Sequence, residues 1–438
     1  MSTEWRTWSR ASRCRPQRIA RPRDESEVVA ELGRAAAAGQ TVRAVGAGHS
    51  FNSLVCTDGT LLDMSSCAGV ERIDPDASTV TVRAGTSLAA LNTALHRAGM
   101  ALPNAGTITS QTVAGALATG NHGTGLAHGP FAGLAVALRL VTADGTVRDC
   151  DERSDPELLR CARTSLGALG VVTRVTVRVV PAFRLRSAPG SRPLEELLDG
   201  FDEWAGSADH VSATWLPWLD NASTRALHRT EDRADRGARL RPLLSSVEEV
   251  RCGLAGLASR LGPGMVRWVS QTLPPYRPPA SYVDSSFQAF SFPQPVRFFA
   301  LEHALALAGV PDAVRELRGA LRRFGLYSPY ALLMRVGAAD DAPLSPAYGR
   351  ATGYVNLTVP RSARYVELLR MVEHVLREHG ARPHWGKAHT ATAEILRPRY
   401  PEWDTFARMR AELDPDGRFT NDHLARLLGE PARMRAGR

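Results

Sequence analysis

The chain has 438 residues, 44% of them hydrophobic, and a formal net charge of +9, which is enough for two domains with cores of their own. No apolar run reaches bilayer-spanning length and residues 1–5 lack a signal peptide's apolar core, so the expectation is a cytoplasmic protein with no membrane partner. The arginines are spread along the chain, and the groups within 6–23 and 433–438 read as solvated ends; this argues against a nucleic-acid partner and leaves a basic nucleic-acid-binding protein as the alternative from another class.

In chain order, residues 26–38 carry a capping serine, an early glutamate and apolar spacing, and predict a helix ended by Gly39. Residues 41–51 predict a short strand running into a tight turn. Val42 and Val45 favour the strand, while Gly46 and Gly48 leave backbone N–H groups unscreened. Consecutive bare amides bind phosphate oxygens, and His49 sits on the same turn. Strands at 60–64 and 79–84 and a helix at 87–98 follow, a β/α alternation that fits a nucleotide domain. Residues 102–129 are dense in glycine and threonine, with a small-residue helix at 113–119. Such a tract brings backbone and hydroxyls against a large flat ligand.

Strands at 135–141 and 146–150 flank an Asp-Gly turn, a helix covers 156–163, and an alternating strand runs from the glycine turn at 167–170 to Pro181. Beyond 182, strands are expected at 211–218, 289–299, 330–336 and 354–359, with helices at 312–323 and 362–379, forming a sheet with helices on one face. Helices at 402–412 and 421–428 bracket the Asp414-Pro-Asp-Gly417 turn. The pattern does not resolve residues 229–275. The six cysteines show no C-x-x-C pair and no histidine at ligand spacing, which predicts free thiols and no metal. Lys387 is the sole lysine in a chain that otherwise uses arginine, a hint that a compact ammonium is needed there.

The turn after Gly48 reads His-Ser-Phe, not the continuation of a dinucleotide-binding G-x-G-x-x-G, which argues against a nicotinamide enzyme. Instead, Glu4-Trp-Arg-Thr-Trp-Ser9, Arg43-Ala-Val-Gly-Ala-Gly-His-Ser-Phe51, Gly115-Ala-Leu-Ala-Thr-Gly-Asn-His-Gly-Thr-Gly125 and Gly167-Ala-Leu-Gly-Val-Val-Thr173 resemble FAD-linked oxidases. With Ala338-Ala-Asp-Asp-Ala-Pro-Leu-Ser-Pro-Ala-Tyr348, His384-Trp-Gly-Lys-Ala-His389 and Asp414-Pro-Asp-Gly-Arg-Phe-Thr-Asn421, the set resembles the aldonolactone/alditol oxidase branch of the vanillyl-alcohol-oxidase superfamily.

The resemblance implies an α+β fold with an FAD-binding domain over 1–182, a substrate domain built on an antiparallel sheet with helices over 183–400, and a segment at 401–438 completing the flavin site. FAD would lie with its diphosphate on Ala44, Val45, Gly46, Ala47, Gly48, His49 and Ser50, and its flavin along Gly106, Thr107, Thr112, Gly115, Ala116, Gly120, Gly123 and Gly125, with Val171 and Asn421 nearby. In this branch the turn histidine, here His49, is commonly bonded to the flavin 8α-methyl. His122 reads either as a cofactor contact or as a cap of the glycine turn. Arg335 and Lys387 are implied in the substrate pocket, where cations stabilise charge arising during hydride transfer. His384 reads as a proton acceptor or as a packed structural histidine.

Asn356 and Thr358 fall where relatives place polar substrate contacts. Alditol-oxidising relatives carry glutamate two residues before the pocket arginine; this chain has Leu333, which argues for a substrate with its own carboxylate or phosphate, or with an apolar portion. Gly106 aligns with a position that is bulkier in relatives reacting poorly with oxygen. The implied function is oxidation of an alcohol carbon of a sugar-like substrate with O2 as acceptor. A dehydrogenase using a quinone or cytochrome is the alternative within the fold.

Overall fold

The computed structural model of the chain describes residues 4–235, 254, 281–292, 296–326, 328–360 and 365–430. Most of 229–275, Cys252 and the 433–438 group therefore lie outside the described residues. Helix Glu25–Ala37 starts on Asp24, whose side chain accepts from the Glu27 amide, and Leu88–Arg97 starts on Ser87, which accepts from Ala90. The first of these packs Val28, Leu32 and Ala35 beside a parallel sheet of Arg18–Ala20, Thr60–Asp63 and Val42–Val45, with Thr60–Asp63 in the middle. An antiparallel five-stranded sheet follows in the order Val147–Asp151, Ala135–Val141, Val171–Arg178, Thr79–Arg83 and Val70–Asp74. The Asp144-Gly145 turn joins its first two strands, with Gly145 at φ +84°. The last strand was not visible in the sequence pattern. The segment predicted to end at Pro181 adds a short pair, Val180–Pro181 against Met100–Ala101.

The second half centres on an eight-stranded antiparallel sheet. Its order is Tyr282–Ser285, Arg184–Pro193, Asn221–Thr230, His210–Trp215, Leu332–Gly337, Thr352–Pro360, Phe298–Ala306 and Arg382–Pro383. Helices Val310–Phe324 and Val366–Glu378 pack with Leu194–Asp199 and Phe201–Ala205 over one face, burying Val211, Ala213, Trp215, Met334, Val355 and Leu357. Because strand side chains alternate, the residues between these, Arg335, Leu333, Asn356 and Glu302, fall on the opposite face. That face meets the first half of the molecule: the Gly125 amide donates to the Val336 carbonyl at 2.8 Å. The α+β architecture with a helix-backed antiparallel sheet is the expected one.

One predicted strand is wrong. Residues 289–299 begin inside helix Ser286–Phe290, and the strand starts only at Phe298. Ala289 and Phe290 turn into a cluster with Leu185 and Leu227, so the start of the predicted strand is helical despite its strand-like composition.

Burial holds His303, His384 and His423 at about 3 and His210 at about 4, all below the ordinary imidazole value. The unfolded chain therefore takes up more protons than the folded one below pH ~6.5. Stability is expected to be full above that pH and to fall as pH drops from ~6.5 toward ~3, by roughly 1 kcal/mol per histidine per unit. Urea unfolding midpoints at pH 7.5 and 5.5 check this; equal midpoints would contradict it.

Candidate active site

Strand Val42–Val45 ends in the 46–50 turn, which lies against the start of helix Val113–Ala118. Thr112 caps that helix by accepting from the Gly115 amide at 3.2 Å. A Cβ on Gly46 would stand 2.1 Å from Thr112 Oγ1, so only glycine allows the approach, and Gly48 sits at φ +66°. Among the described residues, the amides of Ala47, Gly48, His49 and Ser50 donate to no protein acceptor. They face a cavity also lined by Arg43, Met64, Gly115, Thr119 and Gly167. A run of free amides on a glycine turn fits a diphosphate.

Arg43 is fully buried beneath this turn. Its guanidinium donates to the carbonyls of Phe419 at 2.6 Å, Leu166 at 2.6 Å and Gly167 at 3.1 Å. Burial lowers its pKa to about 10. Asn421 caps helix Asp422–Leu428 and donates to the carbonyls of Ser53, Leu54 and Cys56. The C-terminal segment thus holds the turn from behind.

His49 lines this cavity and a second one. Its Nε2 is 2.7 Å from Ser110 Oγ, while Nδ1 is buried and has no hydrogen-bond partner. The Trp8 ring lies 5.0 Å away. Burial, with a smaller push from Lys387, lowers the ring to about 4, so it is neutral at physiological pH. A neutral imidazole with a free nitrogen is a nucleophile.

The second cavity is lined by Ser50, Phe51, Gly106, Thr107, Asn121 and His122 from the first half and by Glu302, Arg335, His384 and Lys387 from the second. The Phe51 amide donates to the Gly386 carbonyl at 2.7 Å, and Asn52 donates to the carbonyls of Trp385 and Lys387. These bonds seat Lys387, whose Nζ lies 4.9 Å from the centre of the Phe51 ring. Burial lowers the pKa of both Lys387 and Arg335, and Glu302 partly restores each.

Glu302 was not a sequence candidate. The one available signal was an acidic residue within an apolar run, Phe-Phe-Ala-Leu-Glu302-His-Ala-Leu, because a buried glutamate needs partners. It has them: Oε1 accepts from His122 Nε2 at 2.7 Å and Oε2 from Asn356 Nδ2 at 3.0 Å. Burial opposes its charge, but His122, Lys387 and His384 together hold it well below the usual carboxylate range. It supplies a carboxylate to Arg335's surroundings from two strands away, so the expectation that Leu333 leaves the arginine without one needs correcting. His122, Glu302 and His384 each place a ligand-type atom within 4.8 Å of the others.

His384 Nδ1 accepts from the Gly386 amide at 3.0 Å, which puts the ring proton on Nε2. In that form the ring is a donor, and burial keeps it neutral. This geometry contradicts a proton-accepting role for His384.

The other sequence candidates divide by packing. Ala44, Val45, Thr112 and Gly115 line the first cavity and Gly106, Thr107 and His122 the second. Ala116 is buried in the core, Gly120 ends a helix at φ +70° against Pro346, and a Cβ on Gly123 would meet Asn104 Oδ1 at 2.0 Å. Gly125, at φ +119°, bridges to Gly337. Val171 is core, whereas its neighbours Gly170 and Val172 line the first cavity. Asn421, Leu333, Asn356 and Thr358 line neither cavity; Thr358 donates to Asn356, which donates to Glu302. His122 is a Glu302 partner stacked 3.5 Å from the Tyr354 ring, and its Nδ1 also bonds the Gly123 carbonyl of the glycine turn at 2.9 Å.

Residues 16–151 match the FAD binding domain family, and residues 175–427 match the D-arabinono-1,4-lactone oxidase family. The chain is 35% identical to the L-gulono-1,4-lactone dehydrogenase of Mycobacterium tuberculosis over 98% of this chain and 100% of that one. It is 32% identical to the alditol oxidase of a Streptomyces species over 98% and 100%. A crystal structure of cholesterol oxidase from B. sterolicum superposes with a TM-score of 0.79 at 18% identity, covering 98% of this chain and 97% of that one, which gives the shared fold. The chain therefore belongs to the D-arabinono-1,4-lactone oxidase family of FAD-dependent oxidoreductases.

Proposed function

We propose that this enzyme oxidises an alcohol carbon of a sugar-like substrate with FAD and hands the electrons to oxygen. The observation that carries the reading is the second cavity, where Arg335 and Lys387 face the turn that bears His49. Bound FAD supplies the acceptor for the hydride leaving the substrate C–H and returns the electrons to O2 as H2O2. Arg335 and Lys387 stabilise negative charge as it develops and polarise the substrate hydroxyl. His384 Nε2–H donates toward the substrate, and Glu302 is the anion on this wall able to receive the hydroxyl's hydrogen bond. Asn356 and Thr358 act on the substrate through Glu302. In this reading residues 1–182 hold FAD, 183–400 the substrate, and 401–438 brace the turn. No helix among the described residues is long and apolar enough to cross a membrane, and we read the enzyme as cytoplasmic.

His49 is the covalent anchor for the flavin in this reading, supported by its neutral ring and unpartnered Nδ1. Acid-precipitated protein is expected to stay yellow, and His49→Ala to release the colour into solution. Flavin left in the supernatant of the wild type would defeat the tether.

Oxygen as acceptor is supported by the bare backbone at Gly106 on the cavity wall. A Cβ there would come within 2.5 Å of Asn121 Oδ1 and push that side chain aside. The mycobacterial relative's name favours a second reading, a dehydrogenase with another acceptor. A screen for peroxide release against aldonolactones, alditols and modified sugars tests the proposal. Substrate-driven reduction of a dye without peroxide in air would select the second reading.

A further inference from the structure

We propose that Tyr354 is a positioning residue for the oxidation: its ring carries His122 as an imidazolium and so leaves Glu302 a carboxylate able to take the substrate's hydroxyl proton. This rests on the oxidase reading and adds a residue to it. Tyr354 lies on strand Thr352–Pro360 as the register partner of Arg335, two residues before Asn356, and so on the sheet face that meets the first half. A Cβ on Gly337 would stand 3.2 Å from Tyr354 Cε2, so glycine there gives the ring its room. Tyr354, His122 and Glu302 are all buried.

One proton is shared across the 2.7 Å contact between His122 Nε2 and Glu302 Oε1. His122 Nδ1 faces the Gly123 carbonyl at 2.9 Å and carries its own proton in either case. The shared proton sits on the ring, giving an ion pair, or on the carboxyl group, giving two neutral partners. Burial alone favours the neutral form.

The ring pair tips the balance the other way. The His122 and Tyr354 centroids are 3.5 Å apart and their planes are 12° from parallel. Two neutral aromatic rings avoid a direct sandwich of this kind, because their like quadrupoles repel. A cation over the tyrosine face is attracted instead. Asn356 Nδ2, donating to Oε2 at 3.0 Å, adds a bond that favours the charged carboxylate. Burial, then Asp340, push the Tyr354 phenol well above its ordinary value, so its ring stays neutral. The phenolic oxygen has no hydrogen-bond partner among the described residues, so the face is what Tyr354 contributes. The other charged or titratable groups around the pair are His384, Lys387 and Arg335 on the cavity wall, His303 beside Glu302 on its strand, and Asp340 and Arg350 near Tyr354.

In the reaction, hydride leaves the substrate carbon for the flavin with the C–H electron pair. The hydroxyl proton passes to Glu302 and the carbon becomes a carbonyl. A Glu302 that already holds a proton cannot take it.

The test compares FAD-loaded Tyr354→Leu, which removes the face, with Tyr354→Phe, which keeps it. Infrared difference spectra against Glu302→Gln read where the proton sits, with no substrate present. The wild type at pH 7 is expected to show Glu302 as a carboxylate. Tyr354→Leu is expected to shift the balance toward the neutral pair by about ten-fold or more. The band of a protonated carboxyl group then appears, and fades as alkaline pH removes the shared proton. Flavin reduction at saturating substrate should slow about ten-fold at pH 7 and recover over the same alkaline range, with substrate binding little changed. Tyr354→Phe should recover most of the loss. Tyr354→Met, which fills more of the volume, stands in if Tyr354→Leu does not hold FAD.

A protonated Glu302 in the wild type would overturn the inference. So would a rate loss equal at every pH with Glu302 still ionised, which is the signature of packing alone. If sugars still reduce the flavin in that case, the oxidase reading stands without it. If the infrared bands behave as expected but no carbohydrate is oxidised, the proton placement stands and the oxidase reading falls.

Discussion

Lys387→Met is expected to lower the rate of substrate oxidation by roughly 10²–10³-fold, the range seen when one preorganised electrostatic donor is removed from an active site. Methionine keeps the length of the side chain and its packing on Phe51 while deleting the charge. The bonds that seat this segment run through backbone atoms, from Phe51 N–H to the Gly386 carbonyl and from Asn52 to the Trp385 and Lys387 carbonyls, so they survive the substitution. The variant should therefore fold, bind FAD and be slow. Single-turnover kinetics separate the two effects: a lower rate of flavin reduction at saturating substrate marks lost charge stabilisation, whereas weaker binding alone marks uniform binding. A variant within about three-fold of the wild type in both would make the sole lysine incidental.

Arg43→Leu is expected to be the most damaging single change to stability. Its guanidinium satisfies three carbonyls, those of Leu166 and Phe419 in buried bonds and that of Gly167 in a part-buried one. Leu166 is itself held at φ +57°. Leucine fills much of the volume but leaves those acceptors bare, at about 1–3 kcal/mol each. Over the two buried acceptors the sum is on the order of 2–6 kcal/mol, a large fraction of a typical domain's stability. The damage should also reach the cofactor, because Arg43 adjoins Ala44 and Val45 on the wall of the first cavity. Arg43→Lys retains the charge but not the planar fork, and should fall between the two. Thermal unfolding and FAD retention measure both variants; a melting temperature within about 2 °C of the wild type would refute the role.

Local signals carried much of the fold. Helix caps at Ser87 and Thr112 and the Asp144-Gly145 turn are encoded within a few residues, and the elements beside them form where expected; the first helix also forms, but it starts on Asp24 and not on the serine expected to cap it, Ser26 lying inside its first turn. The phosphate-type turn was legible for the same reason, since glycine spacing and a strand are both local. What stayed hidden is set by register. Glu302 reaches the site because its strand pairs with Thr352–Pro360 so that it faces Asn356, which faces Leu333 on the next strand. No spacing along the chain encodes that row. Arg43 likewise finds its carbonyl partners more than a hundred residues away, at 166, 167 and 419. Asn356 and Thr358 lie on the expected face, but they hold the carboxylate instead of lining the cavity.

The central claim is that a carbohydrate CH–OH reduces an FAD held beside Arg335 and Lys387. Anaerobic mixing of the purified protein with candidate sugars and sugar acids, followed by admission of air, tests it most directly. A yellow protein whose colour bleaches with substrate and returns in air, with one H2O2 formed per flavin reduced, is the predicted result. A colourless protein that binds DNA tightly and in a salt-sensitive way, or a flavin that no such substrate bleaches, would contradict it.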